Sequence, residues 1–257
     1  MAGECMILKD KVIVISGGTK GVGKGVAIEA AKQGAKIVIA GRDERAAKTI
    51  LDEIHKLNGE AVFAYADLKN IDSCDKMFQT ALDNFGKVDG FVNYAGVTHA
   101  ATLLECSEEV FDDIFDINIK AAFFCVQSAV KYMKENGGSI ILFGSPHDDK
   151  GEVDRAAYAC SKGALSVLTT HVAKYYAEYG IRANYLTMGW TPTEGELALR
   201  REQGMSEEQL RELAAKMVPA GRIQEVEDYV PAVLFLLSDY SKMVMGANLR
   251  ITGGLYF

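Results

Sequence analysis

The sequence predicts a doubly wound α/β fold, in which a parallel sheet of about seven strands carries helices on both faces. Short apolar, β-branched runs alternate with longer segments of helical spacing along the whole chain. Most of the short runs are nearly continuous in apolar residues, as expected for strands covered on both faces. We therefore predict strands at Val12–Ile15, Ile37–Ala40, Ala61–Tyr65, Gly90–Val92, Ser139–Phe143, Ile181–Leu186 and Asn248–Ile251.

The segments between these runs have the apolar spacing of helices that bury one face. With 257 residues the chain is near the upper size for one hydrophobic core, and no repeat or linker-like tract interrupts it. We therefore expect one domain over residues 1–257. The predicted helices are Val22–Gln33, Glu44–Leu57, Ile71–Phe85, Ser107–Met133, Ala156–Glu178 and Val226–Leu237.

A charge-rich, helix-like stretch at about residues 191–218 breaks the alternation before the last helix. Two interpretations are open, a solvated helical hairpin or a mobile lid over a substrate. We favour the lid, because the stretch follows the carboxyl end of a predicted strand, where open α/β sheets bind their ligands.

The composition indicates a soluble globular protein, with 49% hydrophobic and 25% charged residues. The net charge of −7 disfavours a general nucleic-acid or anionic-membrane surface, since both need a cationic face. No apolar run approaches the roughly 20 residues that cross a bilayer, and residues 1–5 do not resemble a secretory signal. We expect a cytoplasmic protein without nucleic-acid or membrane partners.

The cysteines are five in number, far apart in the sequence, and form no C-x-x-C pair. They therefore predict neither a disulfide framework nor a metal site. Since free cysteine is among the most buried residue types, we expect small buried apolar residues at Cys5, Cys74, Cys106, Cys125 and Cys160.

A glycine-rich turn follows the first predicted strand and leads into the first helix. Glycines there let the backbone approach a pyrophosphate, and the helix N-terminus supplies free N–H groups and a partial positive charge. A glycine cluster alone is weak evidence, but its place after the first strand of an alternating α/β chain favours dinucleotide binding. The residues expected to contact the cofactor are Gly17, Thr19, Lys20, Gly21, Val22 and Gly23.

The spacing G-x-x-x-G-x-G of this turn resembles that of the short-chain dehydrogenase/reductase family, whose turn reads T-G-x-x-x-G-x-G. Ser16 stands here for the threonine and keeps its hydroxyl. The resemblance extends from Lys11 to Phe257, and it implies a Rossmann-like domain that binds NAD(P). It also implies further cofactor contacts at Asp67, Leu68, Asn93, Ala95, Gly96, Gly189 and Thr191.

The tip of the second strand bears on the choice of cofactor. An NAD site typically has a carboxylate there, which accepts hydrogen bonds from the ribose hydroxyls, whereas this chain has Gly41 followed by Arg42. A guanidinium can pair bidentately with a 2′-phosphate, and Lys20 adds a second cation. We expect NADP(H) to be preferred and NAD(H) to remain possible, since a slip of one residue would bring Asp43 to the ribose.

Tyr158 and Lys162 lie four residues apart in a predicted helix, so both project from one face. A second Tyr-x-x-x-Lys, at residues 65–69, straddles a strand end and cannot share this geometry. Ser145, at the end of the fifth strand, and Asn118, inside the long helix, match the remaining catalytic positions of the family by resemblance.

The resemblance implies the role of each of these four residues. Tyr158 would be the general acid/base, although a free phenol, with a pKa of about 10, is a poor base near neutrality. The Lys162 ammonium and the charge of the nicotinamide would favour phenolate, and Lys162 would also hold the nicotinamide ribose. Ser145 would stabilise charge on the substrate oxygen, and Asn118 would anchor a water that links Lys162 to solvent.

Three residues after predicted strand ends are expected to face the substrate, His99, His147 and Trp190. The polar pair His147 and Asp148, just after Ser145, hints at a hydroxylated or otherwise polar substrate, and a solvated loop is the alternative. We expect no metal.

These observations favour an NADP(H)-dependent oxidoreductase that interconverts a ketone and a secondary alcohol. A catalytically quiet NAD(P)-binding sensor or scaffold is the alternative, although a binder has no need of a Tyr–Lys pair beside a serine. An epimerase or dehydratase of the same fold is disfavoured, because such chains carry a larger C-terminal substrate region. The resemblance also implies a homotetramer or homodimer that packs through its long helices.

Overall fold

A computed structural model describes residues 6–255 and contains one seven-stranded sheet in the order β3-β2-β1-β4-β5-β6-β7. All six neighbouring strand pairs are parallel, which confirms the predicted fold class. Each strand lies within one or two residues of its predicted bounds. The strands are β1 Val12–Ser16, β2 Lys36–Gly41, β3 Glu60–Tyr65, β4 Gly90–Asn93, β5 Gly138–Gly144, β6 Ile181–Met188 and β7 Asn248–Ile251.

Helices cover both faces of this sheet. The predicted helices are all present, although the long one at 107–133 is interrupted and the one at 156–178 ends as a separate 3-10 turn, Ala177–Tyr179. The helices are α1 Gly21–Lys32, α2 Glu44–Lys56, α3 Ile71–Phe85, α4 Glu108–Phe115, α5 Ala122–Met133, α6 His147–Lys150, α7 Ala156–Tyr175, α8 Glu194–Glu202, α9 Glu207–Met217 and α10 Val226–Leu237.

The buried strands explain why the apolar runs are continuous. All five residues of β1 are buried. Val12 and Val14 join the hydrophobic cluster on one face of the sheet, while Ile13 and Ile15 join the cluster on the other. Since successive side chains of a strand point to opposite faces, a strand that is covered on both sides needs apolar residues at every position.

The strand order reverses beside β1, because β2 and β3 lie on one side of it and β4 to β7 on the other. A crevice forms at such a switch point, outside the carboxyl ends of the strands. The loops after β1, β4 and β5, which contain the predicted site residues Gly17, Ala95 and Ser145, all open at this edge.

The long helix that was predicted at 107–133 changes its winding in the middle. Residues Asp116–Ala121 form a π-helical turn between α4 and α5, and Asn118 is part of it. Such turns are rare and occur frequently at functional sites. Hydrophobic periodicity does not reveal this turn, because the apolar faces on its two sides are each regular.

The charge-rich stretch 191–218 contains α8 and α9, as the predicted helical character requires. A small separate hydrophobic cluster, Leu210, Ala214, Val218 and Ile223, holds it together. Movement of this segment as a lid stays a prediction. Among residues 6–255, no helix combines the length and the apolar character that a bilayer span requires.

The prediction that the cysteines are buried is only partly right. Cys74 and Cys125 are buried between α3 and α5, and Cys106 is half-buried. Cys160 is exposed, because it lies on the outward face of α7, so the prediction is wrong there. Cys5 lies outside the described residues.

Candidate active site

A cleft of about 870 Å³ lies at the carboxyl ends of β1 to β4. This volume is within the range of small-molecule and cofactor sites, which is roughly 300 to 1,000 Å³. Eight predicted cofactor residues line it, Gly17, Thr19, Lys20, Arg42, Asp67, Leu68, Ala95 and Gly96. The lining also includes residues that we did not predict, Tyr94, Lys69, Asp113 and Ile117 among them.

Gly17 fixes the shape of the glycine-rich turn. Its φ is +71°, a conformation that side chains disfavour, and a Cβ atom there would lie 2.8 Å from the Ala95 nitrogen. The turn after β1 and the loop after β4 therefore touch through their backbones. The predicted residues Gly21, Val22 and Gly23 open helix α1 directly behind this contact.

The tip of β2 brings Arg42 and the acidic residues Asp43 and Glu44 to the lining of the cleft. Gly41 ends the strand, and Arg42 is exposed beside it, with no ion pair to any residue within 6–255. The Asp43 carboxylate caps helix α2 by accepting a hydrogen bond from the Ala46 N–H at 2.9 Å. The acid that could have favoured NAD is thus occupied by a structural role.

The other two cations at the rim have acidic partners. Lys20 pairs with Glu194, the first residue of α8, at 2.8 Å. Lys69 pairs with Asp113 at 2.6 Å, and Asp113 also binds His99 at 2.7 Å. The predicted substrate residue His99, in the loop after β4, is therefore held against α4 beside Asp113, which lines the cofactor cleft. These two pairings raise the lysine pKa values, chiefly through the hydrogen bonds to Glu194 and Asp113.

Asn93 ties the two central strands together and does not line the cleft. The Ser16 hydroxyl donates to its side-chain oxygen at 2.8 Å, and Asn93 is 2% exposed. Tyr94, which stands where the family has a second asparagine, packs edge-on against Phe143 at 5.3 Å. Its hydroxyl lies under the turn, 2.9 Å from where a Cβ of Gly21 would be.

Ser145, Tyr158 and Lys162 come together where β5 meets α7. Ser145 directly follows β5 and is buried. Tyr158 and Lys162 share one face of α7, with the Lys162 Nζ 5.6 Å from the centre of the Tyr158 ring. Lys162 is 6% exposed and donates to the Phe143 carbonyl at 3.0 Å. The three predicted side chains are therefore neighbours.

Burial moves the pKa values of the tyrosine and the lysine in opposite directions and apart from each other. The protein packs densely around the partly exposed Tyr158, and this burial raises its pKa to about 12, with the Ser145 hydroxyl and the Arg155 charge opposing the rise. Burial lowers the pKa of Lys162 to about 8. Without a nucleotide, the chain therefore keeps Tyr158 as a phenol near neutral pH, so the phenolate depends on charge that the nicotinamide would add.

Asn118 is fully buried, and its side-chain amide is occupied by the protein. Its Oδ1 accepts from the Val97 N–H at 2.8 Å, and its Nδ2 donates to the Val97 carbonyl at 2.9 Å and to the Ser161 hydroxyl at 3.1 Å. A Cβ at Gly96 would lie 3.2 Å from this Oδ1 and 3.4 Å from the Lys162 Nζ. Asn118 thus holds the loop after β4 beside Lys162.

The loop after β6 is held firmly without the proline that the family has at Met188. The Gly189 N–H donates to the Ile251 carbonyl at 2.9 Å, and the Thr191 and Tyr229 hydroxyls are 2.5 Å apart. Trp190 donates to Glu196 at 2.6 Å, which places its indole at the base of α8. Gly189 and Thr191 lie outside the lining of the cleft.

The segment after Ser145 carries the remaining polar side chains near Tyr158. The His147 ring meets the Tyr158 ring edge-on at 6.3 Å, and burial lowers the pKa of His147. Asp148 lies next to it, and burial raises the pKa of its carboxyl. Tyr185, on β6, donates to the Lys162 carbonyl at 3.0 Å. Sequence reasoning missed Tyr185, because a tyrosine inside a buried strand looks like any other core aromatic residue.

Three comparisons with known proteins show what the chain is similar to. Residues 17–256 match the family model described as Enoyl-(Acyl carrier protein) reductase. The chain is 34% identical to the L-rhamnose 1-dehydrogenase (NAD(P)(+)) of Azotobacter vinelandii, over 98% of both chains. It is 33% identical to the 3alpha-hydroxysteroid dehydrogenase of Mediterraneibacter gnavus, over 96% of this chain and 98% of that one. The crystal structure of a short-chain type dehydrogenase/reductase from Mycobacterium marinum superposes with a TM-score of 0.86 and 27% identity, over 98% of this chain and 97% of that one.

Proposed function

The chain belongs to the short-chain dehydrogenase/reductase family, and we propose that it interconverts a secondary alcohol and a ketone with NADP(H) as the preferred cofactor. Its relatives are named dehydrogenases and reductases, so the chain is an NAD(P)-dependent oxidoreductase. The preference for NADP(H) and the roles of individual residues are the proposed part.

The observation that carries the proposal is the meeting of Ser145, Tyr158 and Lys162 beside the cleft. The hydroxyl, the phenol and the ammonium come from β5 and α7, which are rigid elements, so their relative positions are fixed. Polar side chains of this kind are the ones that proton transfer to a carbonyl oxygen needs. A protein that only bound the nucleotide would not require them.

The nicotinamide, when bound, supplies or accepts the hydride. Tyr158 holds the proton that the substrate oxygen gains during reduction and accepts it back during oxidation. Ser145 donates a hydrogen bond to the same oxygen and stabilises its developing charge. Lys162 adds a positive charge next to Tyr158 and would donate to the nicotinamide ribose, and Asn118 keeps the Val97 backbone in place beside it.

The choice of NADP(H) is supported by the charges at the tip of β2. Arg42 has no ion pair within residues 6–255, so its guanidinium is available to a 2′-phosphate. Asp43 also lines the cleft, but its carboxylate is engaged as the cap of α2. Lys20 would contribute after exchange of its Glu194 partner for the phosphate.

A cofactor-consumption screen tests the proposal. Purified protein is given NADPH or NADH with a panel of ketones, keto-sugars, ketosteroids and keto-acyl thioesters, and Tyr158→Phe is the control. We expect consumption of NADPH that the variant loses by at least about a hundredfold, because general acid–base catalysis contributes roughly 10² to 10⁴. Cofactor binding without any consumption would instead favour the sensor or scaffold, and faster turnover with NADH would contradict the cofactor assignment.

A homotetramer or homodimer that packs through the long helices, in a cytoplasmic location, completes the proposal. Val167 and Tyr175 on α7 and Phe123 on α5 are exposed apolar side chains, which a helix-to-helix interface would cover. The mass of the protein in solution, measured by light scattering, tests this, and a monomer would contradict it.

A further inference from the structure

Tyr185, on β6, is a buried polar side chain without a role in the proposed hydride and proton transfer. It is 2% exposed and belongs to the hydrophobic cluster that also contains Leu165 and Val172 of α7. A hydroxyl among apolar side chains is favourable only when it is hydrogen-bonded. The partners of this hydroxyl therefore indicate what the tyrosine does that a phenylalanine could not do.

The partners lie on three different elements around the candidate active site. The Tyr185 hydroxyl donates to the backbone carbonyl of Lys162, on α7, at 3.0 Å. The backbone N–H of Ser145, just after β5, interacts with the oxygen of the same hydroxyl. The carboxylate of Asp148, in α6, is its third partner. One oxygen atom thus connects the serine that follows β5 with the helix that carries the lysine.

Two glycines make room for this arrangement. A Cβ atom at Gly144, the last residue of β5, would overlap the ring and the hydroxyl of Tyr185. A Cβ atom at Gly163, next to Lys162 in the chain, would lie 3.3 Å from the carbonyl oxygen of Asp148. Both backbones therefore come close to the tyrosine and to its partners.

The contacts of Tyr185 bear on the distance between Ser145 and the two proposed catalytic side chains of α7. Tyr158 lies one turn before Lys162 on the same face of this helix. The Lys162 Nζ is tied to β5 through the Phe143 carbonyl at 3.0 Å, and the Lys162 backbone is tied to β6 through Tyr185. A misplacement of about 1 Å in an active site can cost roughly a hundredfold in rate.

We propose that Tyr185 is a positioning residue for the reaction, whose hydroxyl holds the start of α7, with Tyr158 and Lys162, at a fixed distance from Ser145. Tyr185 is buried and does not line the cofactor cleft, so it acts through these residues and touches neither cofactor nor substrate. This inference rests on the proposed function and adds a residue to the same site.

The first test separates turnover from substrate binding. Tyr185→Phe removes the hydroxyl and keeps the ring in the core. With NADPH and the ketone that the cofactor-consumption screen finds to react fastest, we expect kcat to fall at least about tenfold, because the reacting groups shift. The KM for the ketone should stay within twofold, since Tyr185 does not touch the substrate. An unchanged kcat, or a loss confined to KM, overturns the inference.

Tyr132→Phe, on α5, is the matched control. It also removes a tyrosine hydroxyl that bonds to a carboxylate, that of Asp75 at 2.9 Å, and neither residue lines the cofactor cleft. We expect kcat and KM of this variant to stay within twofold of the native values. A loss of kcat as large as that of Tyr185→Phe would show a general effect of lost hydroxyls, which also overturns the inference.

The second test needs no turnover. Adenosine 2′,5′-bisphosphate lacks the nicotinamide ribose that Lys162 would hold, whereas NADPH contains it. By isothermal titration calorimetry, Tyr185→Phe should weaken NADPH binding at least about threefold, the scale of one weakened hydrogen bond. Binding of the bisphosphate should stay within twofold. Equal weakening of both, or of neither, would mean that Tyr185 does not place Lys162.

Circular dichroism and the melting temperature show whether each variant is folded. If Tyr185→Phe is unfolded at the assay temperature, the comparison is made between Asp148→Asn and Asp148→Asn/Tyr185→Phe, in which no buried carboxylate loses its hydroxyl partner. The same fall in kcat is expected between these two.

The outcomes for the inference and for the proposed function are distinct. A native enzyme that turns over, and whose Tyr185→Phe variant turns over equally fast, keeps the function and loses the inference. A native protein that binds NADPH but reduces no ketone loses the function, and the calorimetric comparison still decides whether Tyr185 places Lys162. A native protein that binds neither NADPH nor NADH loses both.

Discussion

The side chain of Tyr185 occupies the place where Gly144 would otherwise carry a side chain. A Cβ atom at Gly144 would lie 1.9 Å from the Cζ of Tyr185 and 2.0 Å from its hydroxyl oxygen. β5 and β6 are neighbours, with Gly144 at the end of β5 just before Ser145. The Tyr185 hydroxyl reaches past this glycine to the carbonyl of Lys162. Gly144 and Tyr185 thus connect β5, which Ser145 follows, to α7, which carries Lys162.

Substitution Gly144→Ala should therefore destabilise the protein by at least about 1 to 3 kcal/mol, since overpacking a filled core forces side chains and backbone to move. Urea unfolding followed by circular dichroism measures this loss. In the Tyr185→Ala variant the ring is absent, so adding Gly144→Ala to that variant should cost much less stability than it costs in the native protein. The control Gly195→Ala, on α8 in open space, should change stability by less than 1 kcal/mol. Equal stability of Gly144→Ala and native protein would contradict the packing described.

Lys162 should make the stability of the protein rise with pH in the alkaline range. Burial lowers its pKa in the folded protein to about 8 from 10.5. Between these values the unfolded chain binds more protons than the folded chain, so the free energy of unfolding rises with pH. Lys162→Met should remove this rise, and it should be more stable than the native protein at pH 7 by up to about 3 kcal/mol. Parallel pH profiles of unfolding for the two proteins would refute the burial of a charged lysine.

Arg42 should distinguish the two nicotinamide cofactors. Arg42→Gln should weaken NADPH binding at least about tenfold, because charge-assisted hydrogen bonds to a phosphate contribute roughly 1.5 to 3 kcal/mol. Binding of NADH should change by less than twofold. Fluorescence titration of each cofactor measures the two dissociation constants. Arg45→Gln, a nearby exposed charge on α2 outside the cleft, is the matched control. If both cofactors weakened equally, Arg42 would not contact the 2′-phosphate.

Glu194 should compete with the cofactor for Lys20. Because the carboxylate of Glu194 already holds Lys20 at 2.8 Å, a 2′-phosphate has to displace it. Glu194→Gln should tighten NADPH binding by up to about fivefold, the scale of an exposed ion pair, and leave NADH binding unchanged. Glu208→Gln removes a charge from α9 away from the turn and serves as the control. Weaker NADPH binding in Glu194→Gln would mean that this residue supports the phosphate site.

The sequence patterns predicted the strands and helices, whose burial follows from local apolar spacing. They also predicted which residue types form the candidate site. The continuous apolar run Val12 to Ile15 predicted a buried strand, because both faces of β1 are covered. The four-residue spacing of Tyr158 and Lys162 predicted that they are neighbours, because residues four apart lie on one face of a helix. The Lys20–Glu194 pair, the Tyr185–Gly144 contact and the capping role of Asp43 were missed. The first two join residues that are far apart in sequence. The third could have been predicted, since the predicted helix begins at Glu44 and aspartate is a preferred N-cap residue.

The π-helical turn around Asn118 has a consequence for how the chain tolerates length changes. A π-helical turn holds about one residue more than the α-helical turn it replaces, so a single deletion within residues 116–121 would restore α-helical winding and keep α4 and α5 in line. The deletion would instead move Asn118 from the position in which its side chain bonds to Val97 and Ser161. The extra residue therefore sets the place of this amide, and homologous chains that keep the amide beside the lysine should keep the π-helical turn.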